Sequence, residues 1–407
     1  MKVLHLMPYC PEPPIFGGAL RNHHILKHLT EHHSVTVVCF GSPDAPAKLR
    51  ETFKAGIEDV HVLPFRWIWR YRRLGQLYAH WKGDSFIQLV CQTDEMQATL
   101  DRLLSEKHYD IVQSEFAMMG VYTLRTDAVK ILDAHNVEYD IFRRLMENAR
   151  TPLRRWHYNH EYRSLFRHEL EAIRKQDAIF VTSARDKEIL DAGAPGIPKY
   201  IVPNGVDMSF FTPSEEAPEP FSLVFTGMMG YVPNYDGMLY FLDEIFPLIL
   251  KEVPQAKVYI VGNKPPRALL RRAAENVVIT GFVDDVRSYV RRSSVYIVPL
   301  RMGGGTRLKV SEAMAMQKPL VTTSIGCEGI DVKHGETALI ADTPAEFARE
   351  VIELLRDEPL RRRLVANGFE LARTTYEWSV IGDDVERFYQ SIIRSVAEGK
   401  KGGHANG

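Results

Sequence analysis

The stretch from Val295 to Lys318 constrains the fold more than any other part of the chain. It reads Val-Tyr-Ile-Val-Pro-Leu, then Arg-Met-Gly-Gly-Gly-Thr, then Arg-Leu-Lys-Val-Ser-Glu-Ala-Met-Ala-Met-Gln-Lys. The first part is short, apolar and rich in β-formers, which predicts a buried strand, and the last part has the period and composition of a helix. A glycine loop between a strand and a helix directs free backbone N–H groups at one point, which is how many proteins bind anions.

The charges near the start of this helix indicate which anion is bound. Arg307 and Lys309 fall in its first turn, where each cation opposes the helix dipole by about 0.3–1 kcal/mol. Two cations beside the glycine run Gly303–Gly305 are better explained if a phosphate or pyrophosphate lies among them. Glu312 follows on the same helix, where its carboxylate can accept hydrogen bonds from a ribose diol. The alternative is a solvated helix start with ordinary surface charge.

Length and charge narrow the class of protein. With 407 residues, 45% of them hydrophobic, the chain predicts at least two domains with large cores. A formal net charge of −1 gives no overall field that would favour nucleic acid. The scattered cysteines, Cys10, Cys39, Cys91 and Cys327, indicate free thiols in a reducing compartment. No apolar run approaches the ~20 residues of a membrane span, so we expect a cytoplasmic protein.

The first residues predict a right-handed βαβ unit. A strand over 2–7 is followed by a proline-rich loop, a helix over about 19–32 and a buried strand over 34–40. The loop carries Gly17 and Gly18 rather than a dinucleotide-binding glycine pattern. These glycines either make a tight turn or let the backbone approach a ligand closely.

A second polar group follows the predicted strand 129–134. His135, Asn136 and Glu138 come directly after it. Ligands of open α/β sheets bind at the carboxyl ends of the strands, which favours a functional role for His135 over the structural role that a lone histidine usually has.

Two basic segments have alternative interpretations. Residues 65–82 are basic and aromatic and contain no acidic residue before Lys82. They form either a helical insertion with core aromatics or a patch that touches anionic lipid head groups or a lipid-linked acceptor. Residues 140–175 predict a helical region broken near Pro152, with nine Lys and Arg against four Glu from Ile141 to Lys175. That excess is either a solvated face or an acceptor-side basic surface.

A second alternation of strands and helices follows an acidic, proline-bearing linker at 213–220. We therefore predict an α/β protein with two doubly wound, Rossmann-like domains, the first over 1–206 and the second over 207–375. A final helix over about 376–395 is expected to pack back on the first domain, and 396–407 to form a flexible tail.

Several of these motifs together resemble a known family. The run from Gly303 to Lys309, with Glu312-Ala-Met-Ala and Lys318-Pro-Leu-Val, resembles the donor site of retaining glycosyltransferases of family 4. Val-Pro-Asn-Gly-Val-Asp at 202–207 is similar to the interdomain signature of that family, and Gly17-Gly18, 135–138 and 280–283 also match its pattern. The resemblance implies the GT-B fold, with two domains facing each other across a cleft, and is strongest to the exopolysaccharide-associated bacterial branch.

The resemblance also implies residue roles. Glu312 would hold the ribose, and Arg307 and Lys309, with the N–H groups of Gly304, Gly305 and Thr306 after Gly303, would hold the diphosphate. Gly17 and Gly18 would let the first domain approach the same phosphates, Phe282 and Val283 would lie along the base, and His135 would face the donor sugar with Asn136 and Glu138 on the acceptor side. The implied reaction transfers a hexosyl group, with retention, from a nucleoside diphosphate sugar to a glycan, lipid-linked or small-molecule acceptor, with a peripheral contact to the inner membrane as a further option.

The chain departs from the family pattern at two points. Gly304 replaces a glutamate that the family often has, and the loop after 221–226 reads Gly-Met-Met-Gly-Tyr, without the usual Arg and Lys. We infer that Arg307 and Lys309 supply the missing charge. No Asp-x-Asp metal motif occurs near the site, and the adjacent Asp284 and Asp285 are better read as a helix cap, so we expect no metal and no other cofactor. A sugar-nucleotide epimerase on the same fold and a non-catalytic sugar-nucleotide-binding subunit are the alternatives.

Overall fold

The computed structural model describes residues 1–66, 71–149, 151–303 and 305–403. The chain divides into two compact units, Met1–Val202 with Gly382–Gly407, and Pro203–Ile381. The chain thus crosses between units after 202 and after 381, where the sequence analysis placed the crossings after 206 and after 375.

The first unit is built on a seven-stranded parallel sheet with the order β3-β2-β1-β4-β5-β6-β7. Its strands are β1 (Lys2–Met7), β2 (Ser34–Phe40), β3 (Ile57–Leu63), β4 (Ile111–Glu115), β5 (Val129–Ala134), β6 (Ala178–Val181) and β7 (Lys199–Ile201). Its helices are α1 (Gly17–His32), α2 (Ala45–Phe53), α3 (Arg72–Lys82), α4 (Phe86–Cys91), α5 (Asp94–Glu106), α6 (Glu138–Glu147), α7 (Pro152–Arg174) and α8 (Ala184–Gly193).

The apolar strands of this sheet are buried because helices cover both of its faces. Leu4 and Leu6 of β1 pack in one cluster with residues of α5, and Leu132 of β5 packs in another with Leu165 and Leu170 of α7. Parallel sheets covered on both sides need continuous apolar strands, which is why the sequence of β2 is apolar almost throughout.

The second unit has a six-stranded parallel sheet with the order β10-β9-β8-β11-β12-β13. Its strands are β8 (Glu219–Thr226), β9 (Lys257–Val261), β10 (Val277–Gly281), β11 (Ser293–Val298), β12 (Leu320–Thr322) and β13 (Leu339–Ile340). Its helices are α9 (Val232–Tyr240), α10 (Phe246–Glu252), α11 (Arg267–Leu270), α12 (Arg287–Arg292), α13 (Leu308–Ala315), α14 (Pro344–Arg356) and α15 (Glu358–Leu371), and α16 (Trp378–Gly403) ends the chain.

Each sheet has one point at which the strand order reverses. In the first unit the sequence runs outward from β1 in one direction and from β4 in the other, and in the second unit the same happens at β8 and β11. Open α/β sheets bind ligands in the crevice at the carboxyl ends of the two strands at such a point. The loops after β1, β4, β8 and β11 are therefore where the fold places a ligand.

Two helix boundaries differ from the sequence predictions. Helix α1 begins at Gly17, so the glycine pair lies in its first turn rather than before it. The last helix runs to Gly403 rather than to about 395. Within 65–82, α3 accounts for the second half, while residues 67–70 lie outside the described residues.

No described helix combines the length and the apolar character that crossing a bilayer requires. All four cysteines are free thiols, as predicted.

Candidate active site

The loop between β11 and α13 lies at the reversal point of the second sheet. Gly303 has φ +132° and Gly305 has φ +72°, backbone conformations that residues with a Cβ rarely adopt. Gly304 lies outside the described residues. The two glycines let the chain turn sharply from the end of β11 into the first turn of α13.

Arg307 is the residue immediately before α13, and it is buried, with 6% of its surface exposed. Its Nε donates to the carbonyl of Ile325 at 3.1 Å and its Nη1 to the carbonyl of Gly305 at 2.9 Å. Its Nη2 lies 3.8 Å from the Glu328 carboxylate. The guanidinium therefore braces the glycine loop and places a fixed positive charge beneath it.

Lys309 reaches from the first turn of α13 towards the loop after β8. Its ammonium donates to Asn234 Oδ1 at 2.9 Å and lies 3.9 Å from the centre of the Phe225 ring. A Cβ on Gly227 would come within 3.0 Å of it, so the glycine of that loop makes room for the lysine. Burial lowers the pKa of Lys309 to about 7, against a smaller opposing effect of Glu312.

Glu312 lies one turn further along α13. Burial raises the pKa of its carboxyl to about 7, and Lys309 counteracts part of that rise. Among the described residues, none donates a hydrogen bond to this carboxylate. The first two turns of α13 thus hold a lysine and a glutamate whose pKa values are both about 7. Apart from the bond from Lys309 to Asn234, neither side chain makes a hydrogen bond within the described chain.

The other predicted residues of the second unit also lie at the carboxyl end of its sheet. Phe282 follows β10 and has 69% of its surface exposed, whereas Val283 is partly buried against the core. The hydroxyl of Thr306 is buried and, within the described chain, has no hydrogen-bond partner. An exposed ring, a free hydroxyl and the α13 residues all lie after the carboxyl ends of strands of one parallel sheet, where such sheets bind ligands.

The glycine pair of the first unit lies at the reversal point of its sheet. Gly17 is exposed and begins α1, whereas a Cβ on Gly18 would come within 2.4 Å of the Tyr9 hydroxyl and 2.9 Å of the Phe116 ring. Tyr9 follows β1 and Phe116 follows β4. Only glycine fits at position 18, because the two strand-end rings occupy the space of a side chain.

His135 follows β5 and is 4% exposed. Its Nε2 lies 2.6 Å from the Glu115 carboxylate, and its ring stacks on Phe116 at 3.8 Å between ring centres. The other oxygen of Glu115 lies 2.5 Å from Nε2 of His5. A Cβ on Gly18 would be 3.5 Å from His135 Nδ1, so that nitrogen faces the start of α1.

The charge of Glu115 decides the tautomer of His135. Burial raises the pKa of Glu115, but His5 and His135 outweigh burial and hold it well below its ordinary value. An ionised carboxylate can only accept, so Nε2 of His135 carries the proton and donates it. In the neutral ring, Nδ1 is then an acceptor that faces the start of α1.

Asn136 and Glu138 are turned towards each other. Asn136 Nδ2 donates to Glu138 Oε1 at 3.4 Å, and burial raises the pKa of Glu138. The backbone N–H groups of Glu138 and Tyr139 donate to the carboxylate of Glu169 at 3.3 and 3.1 Å, which caps α6.

The predicted residues of each unit thus lie at the carboxyl ends of the strands of its sheet. Further residues at these positions were not predicted from the sequence. Glu115 and His5 fix His135, Asn234 holds Lys309, and Tyr9 packs on Gly18. One signal was available for Glu115, since Gln-Ser-Glu at 113–115 places polar residues inside a strand that is buried throughout.

Comparison with known proteins identifies the family. The model of "Glycosyltransferase Family 4" matches residues 17–210, and that of "Glycosyl transferases group 1" matches residues 220–357. The chain belongs to the family 4 glycosyltransferases. The family confirms the resemblance drawn from the motifs, and it makes this protein a transferase enzyme.

Relatives and solved structures agree with this assignment. A protein of 44.6 kDa in the cps region of Klebsiella pneumoniae is 22% identical over 97% of this chain and 99% of its own length. The phosphatidyl-myo-inositol mannosyltransferase of Mycobacterium tuberculosis is 28% identical over 48% of this chain and 55% of its own. The crystal structure of Anabaena HepE in complex with UDP superposes with a TM-score of 0.70 at 15% identity, covering 96% of this chain and 100% of that one. This structural neighbour confirms the predicted GT-B fold.

Proposed function

We propose that this glycosyltransferase transfers a hexosyl group from a nucleoside diphosphate sugar to an acceptor hydroxyl, with retention of anomeric configuration, in the synthesis of a capsular or other cell-surface polysaccharide. The observation that carries the proposal is the arrangement of Arg307, Lys309 and Glu312 around the glycine loop at the reversal point of the second sheet. The cps-region relative supports the polysaccharide, and the UDP in HepE supports the class of donor.

The chemistry of this arrangement suits a departing nucleoside diphosphate. The leaving group gains negative charge as the glycosidic bond breaks, so fixed cations stabilise the transition state more than the ground state. Arg307 supplies a permanent charge, and Lys309 takes up a proton when an anion approaches. Glu312 accepts from the ribose diol, and Phe282 and Val283 lie along the base.

His135 is assigned to the donor sugar. With its Nε2 proton held by Glu115, it presents Nδ1 as an acceptor for a sugar hydroxyl at the start of α1. Gly17, exposed at the start of α1, leaves room for this ligand, Gly18 lets Tyr9 and Phe116 pack beneath it, and Asn136 and Glu138 are assigned to the acceptor side.

We further propose that the charges of Arg307 and Lys309 replace a divalent metal on the donor phosphates. Turnover without added Mg²⁺ or Mn²⁺ should then equal turnover with them. A strict requirement for either ion would overturn this part of the proposal.

The acceptor is proposed to be lipid-linked and reached from the cytoplasmic face of the membrane. Exposed apolar side chains line α3 and the first turns of α7: Tyr71, Leu74, Leu77, Tyr78, Trp81, Leu153 and Trp156. Basic residues alternate with them, namely Arg72, Arg73, Lys82, Arg154 and Arg155. Aromatic and basic side chains together suit the head-group region of an anionic bilayer, and the mycobacterial relative is named for a phosphatidylinositol acceptor.

The decisive experiment begins with a thermal-shift screen of UDP-, GDP-, ADP- and dTDP-sugars, because a ligand that binds the folded state raises its melting temperature. With the donor so identified, Arg307→Ala and Lys309→Ala should each reduce turnover by about 10²-fold or more, the usual loss for a preorganised charge contact. Glu312→Ala should chiefly weaken donor binding. Activities within about threefold of wild type in both cation variants would reject the site.

Release of nucleoside diphosphate with and without acceptor separates this proposal from its rivals. A transferase releases nucleoside diphosphate faster when acceptor is present. An epimerase converts the donor sugar and releases little nucleoside diphosphate, and a binding subunit neither releases it nor converts the sugar. The anomeric configuration of the product, read by NMR, tests retention.

A further inference from the structure

A cluster of histidines joins α3 to α7 away from the site described above. His80 lies near the end of α3, and His157 and His160 lie in the first half of α7. The rings of His80 and His160 stack with centres 4.1 Å apart, and His80 Nε2 lies 3.1 Å from His157 Nδ1. The neutral imidazole is the form of histidine that binds metals.

Backbone carbonyls fix the outer nitrogens of two of these rings. His80 Nδ1 lies 2.9 Å from the carbonyl of Gln76, and His160 Nε2 lies 3.0 Å from the carbonyl of Asp84. Each ring therefore donates one N–H to a carbonyl and has a lone pair on its other nitrogen. In His80 that lone pair accepts from the Nδ1–H of His157, a hydrogen bond that a metal bound to His80 would replace. Metal-binding histidines have this outer contact almost always, because it sets the tautomer and the direction of the ring.

Glu161 is the second, independent indication of a ligand. It is 3% exposed, and its Oε1 has no hydrogen-bond partner within the described chain. A buried carboxylate without a partner is costly. One ring nitrogen of His80, one of His160 and one carboxylate oxygen of Glu161 all lie within 4.8 Å of one another. The group that would satisfy Glu161 is a cation placed between it and the two histidines.

We propose that His80, His160 and Glu161 bind a divalent transition metal, zinc by preference, with His157 or water in the fourth position. Two imidazoles and one carboxylate form a donor set that suits zinc and its neighbours rather than magnesium or calcium. Two nitrogens bound at 2.0–2.1 Å to one tetrahedral zinc are about 3.4 Å apart, close to the present spacing of His80 and His157. The other two ligand atoms close on the ion through small side-chain rotations.

The metal would tie α3 to α7. The ring of His80 also lies 5.0 Å from that of Trp156, one of the exposed aromatic residues of these two helices. The metal therefore fixes the two helices that carry the exposed aromatic surface, whether or not that surface meets a membrane. The proposal is independent of the donor site.

The test uses the full chain without an affinity tag, stripped with a chelator and titrated with Co²⁺ and then Zn²⁺. We expect about one equivalent of Co²⁺ to give the visible d–d bands of a four-coordinate site, Zn²⁺ to displace it, and Zn²⁺ to raise the melting temperature. Glu161→Gln should weaken metal binding by about 100-fold or more, since the loss of an outer contact alone costs 10–100-fold. The same variant should leave the metal-free melting temperature unchanged or higher, because it removes an unpaired buried charge.

A purely structural role for Glu161 would give the opposite pattern, with a lower melting temperature in the metal-free variant and no change in metal binding. His160→Gln is the second ligand variant, and circular dichroism checks that both fold. His32→Gln is the matched control, since His28, Glu31 and His32 form another histidine and glutamate group, on the surface of α1. Absence of the cobalt bands in the wild type, or their loss in His32→Gln with retention in Glu161→Gln, would overturn the proposal.

Discussion

At the scale of single residues, the proposed donor site predicts that donor binding depends on pH through Lys309 and Glu312. Each has a pKa of about 7, lowered in the lysine and raised in the glutamate, in both cases by burial. In the proposed donor site, a diphosphate binds the protonated lysine and a ribose diol donates to the ionised glutamate. Donor affinity should therefore be highest near neutrality and fall on both sides, by up to tenfold per pH unit on each limb. Calorimetric titration between pH 5.5 and 9 checks this with a nucleoside diphosphate sugar, whose phosphates stay ionised throughout.

Two conservative variants separate the limbs. Lys309→Arg keeps the charge at all these pH values and should remove the alkaline limb, whereas Glu312→Gln should remove the acid limb. If both variants kept the wild-type profile, the pH dependence would have to come from other groups.

Some residues of the site could be predicted from the sequence, whereas their partners could not. The positions of Arg307, Lys309 and Glu312 followed from helical period and charge, because all three belong to one short segment. The partners Asn234 and Glu115 did not, because they come from elements 75 and 20 residues away along the chain. Which side chain meets which across a sheet depends on strand order, and single-sequence patterns do not determine strand order.

At the scale of elements, the loop after β8 is shaped to admit Lys309 from α13. Gly227 has φ +153°, and a Cβ there would lie 2.8 Å from the Asn234 amide and 3.0 Å from the Lys309 ammonium. Gly227→Ala should displace the lysine and weaken donor binding by about tenfold, the effect of losing a contact worth about 1.4 kcal/mol. It should also destabilise the second unit. Donor titration and thermal unfolding measure the two effects.

Gly335→Ala is the matched control for this substitution. Gly335 also has a positive φ, +74°, but a Cβ there has nothing within 4 Å. It should cost only backbone strain, about 1–2 kcal/mol, and leave donor affinity unchanged. Equal donor affinities in the two variants would show that the loop tolerates a side chain beside Lys309.

The carboxyl ends of β4 and β5 form the corresponding element of the first unit. Glu115 accepts from His5 and His135 in the buried interior, and removing one partner of a buried ionic group typically costs 3–5 kcal/mol. Glu115→Gln should therefore lower the free energy of unfolding by about 3 kcal/mol and reduce turnover, because the tautomer of His135 is no longer fixed. Urea unfolding and the donor assay measure the two losses.

The pH dependence of that stability difference has a definite sign. The pKa of Glu115 is lowered in the folded state, so its contribution is complete above the unfolded value of about 4.5 and is lost as pH falls below it. The difference between wild type and Glu115→Gln should be constant between pH 5.5 and 6 and shrink below pH 4.5. Glu106→Gln, an exposed position on α5, is the control and should show no such trend. A difference that grows with acid would contradict an ionised Glu115.

Elements were more predictable than their ends. The alternation of buried strands and helices comes from local period and propensity, so strands such as β1, β2 and β5 could be expected from their own residues. The three-residue strand β7 was not predicted. The start of α1 at Gly17 was missed because glycine is a poor helix former.

At the scale of the whole molecule, the exposed aromatic and basic surface of α3 and α7 bears on where the enzyme works. Leu77 and Trp81 have 68% and 78% of their surfaces exposed. Exposed apolar groups of this size cost free energy in water and are seldom clustered on a surface without a partner. Since basic residues lie between them, the enzyme should bind vesicles that contain phosphatidylglycerol more strongly than vesicles of phosphatidylcholine alone, and added salt should weaken the binding.

Replacement of the apolar groups separates insertion from simple charge attraction. Leu77→Glu and Trp81→Glu should each weaken binding to the anionic vesicles by about tenfold or more, because each removes apolar contact and adds a repelled charge. Leu270→Glu changes an exposed leucine on α11 of the second unit in the same way, so it has the same effect on net charge and should bind as the wild type does. If Leu270→Glu lost binding equally, net charge alone would govern the association. If none of the three variants changed it, the α3 surface would have no part in it, and the acceptor would have to reach the enzyme from solution.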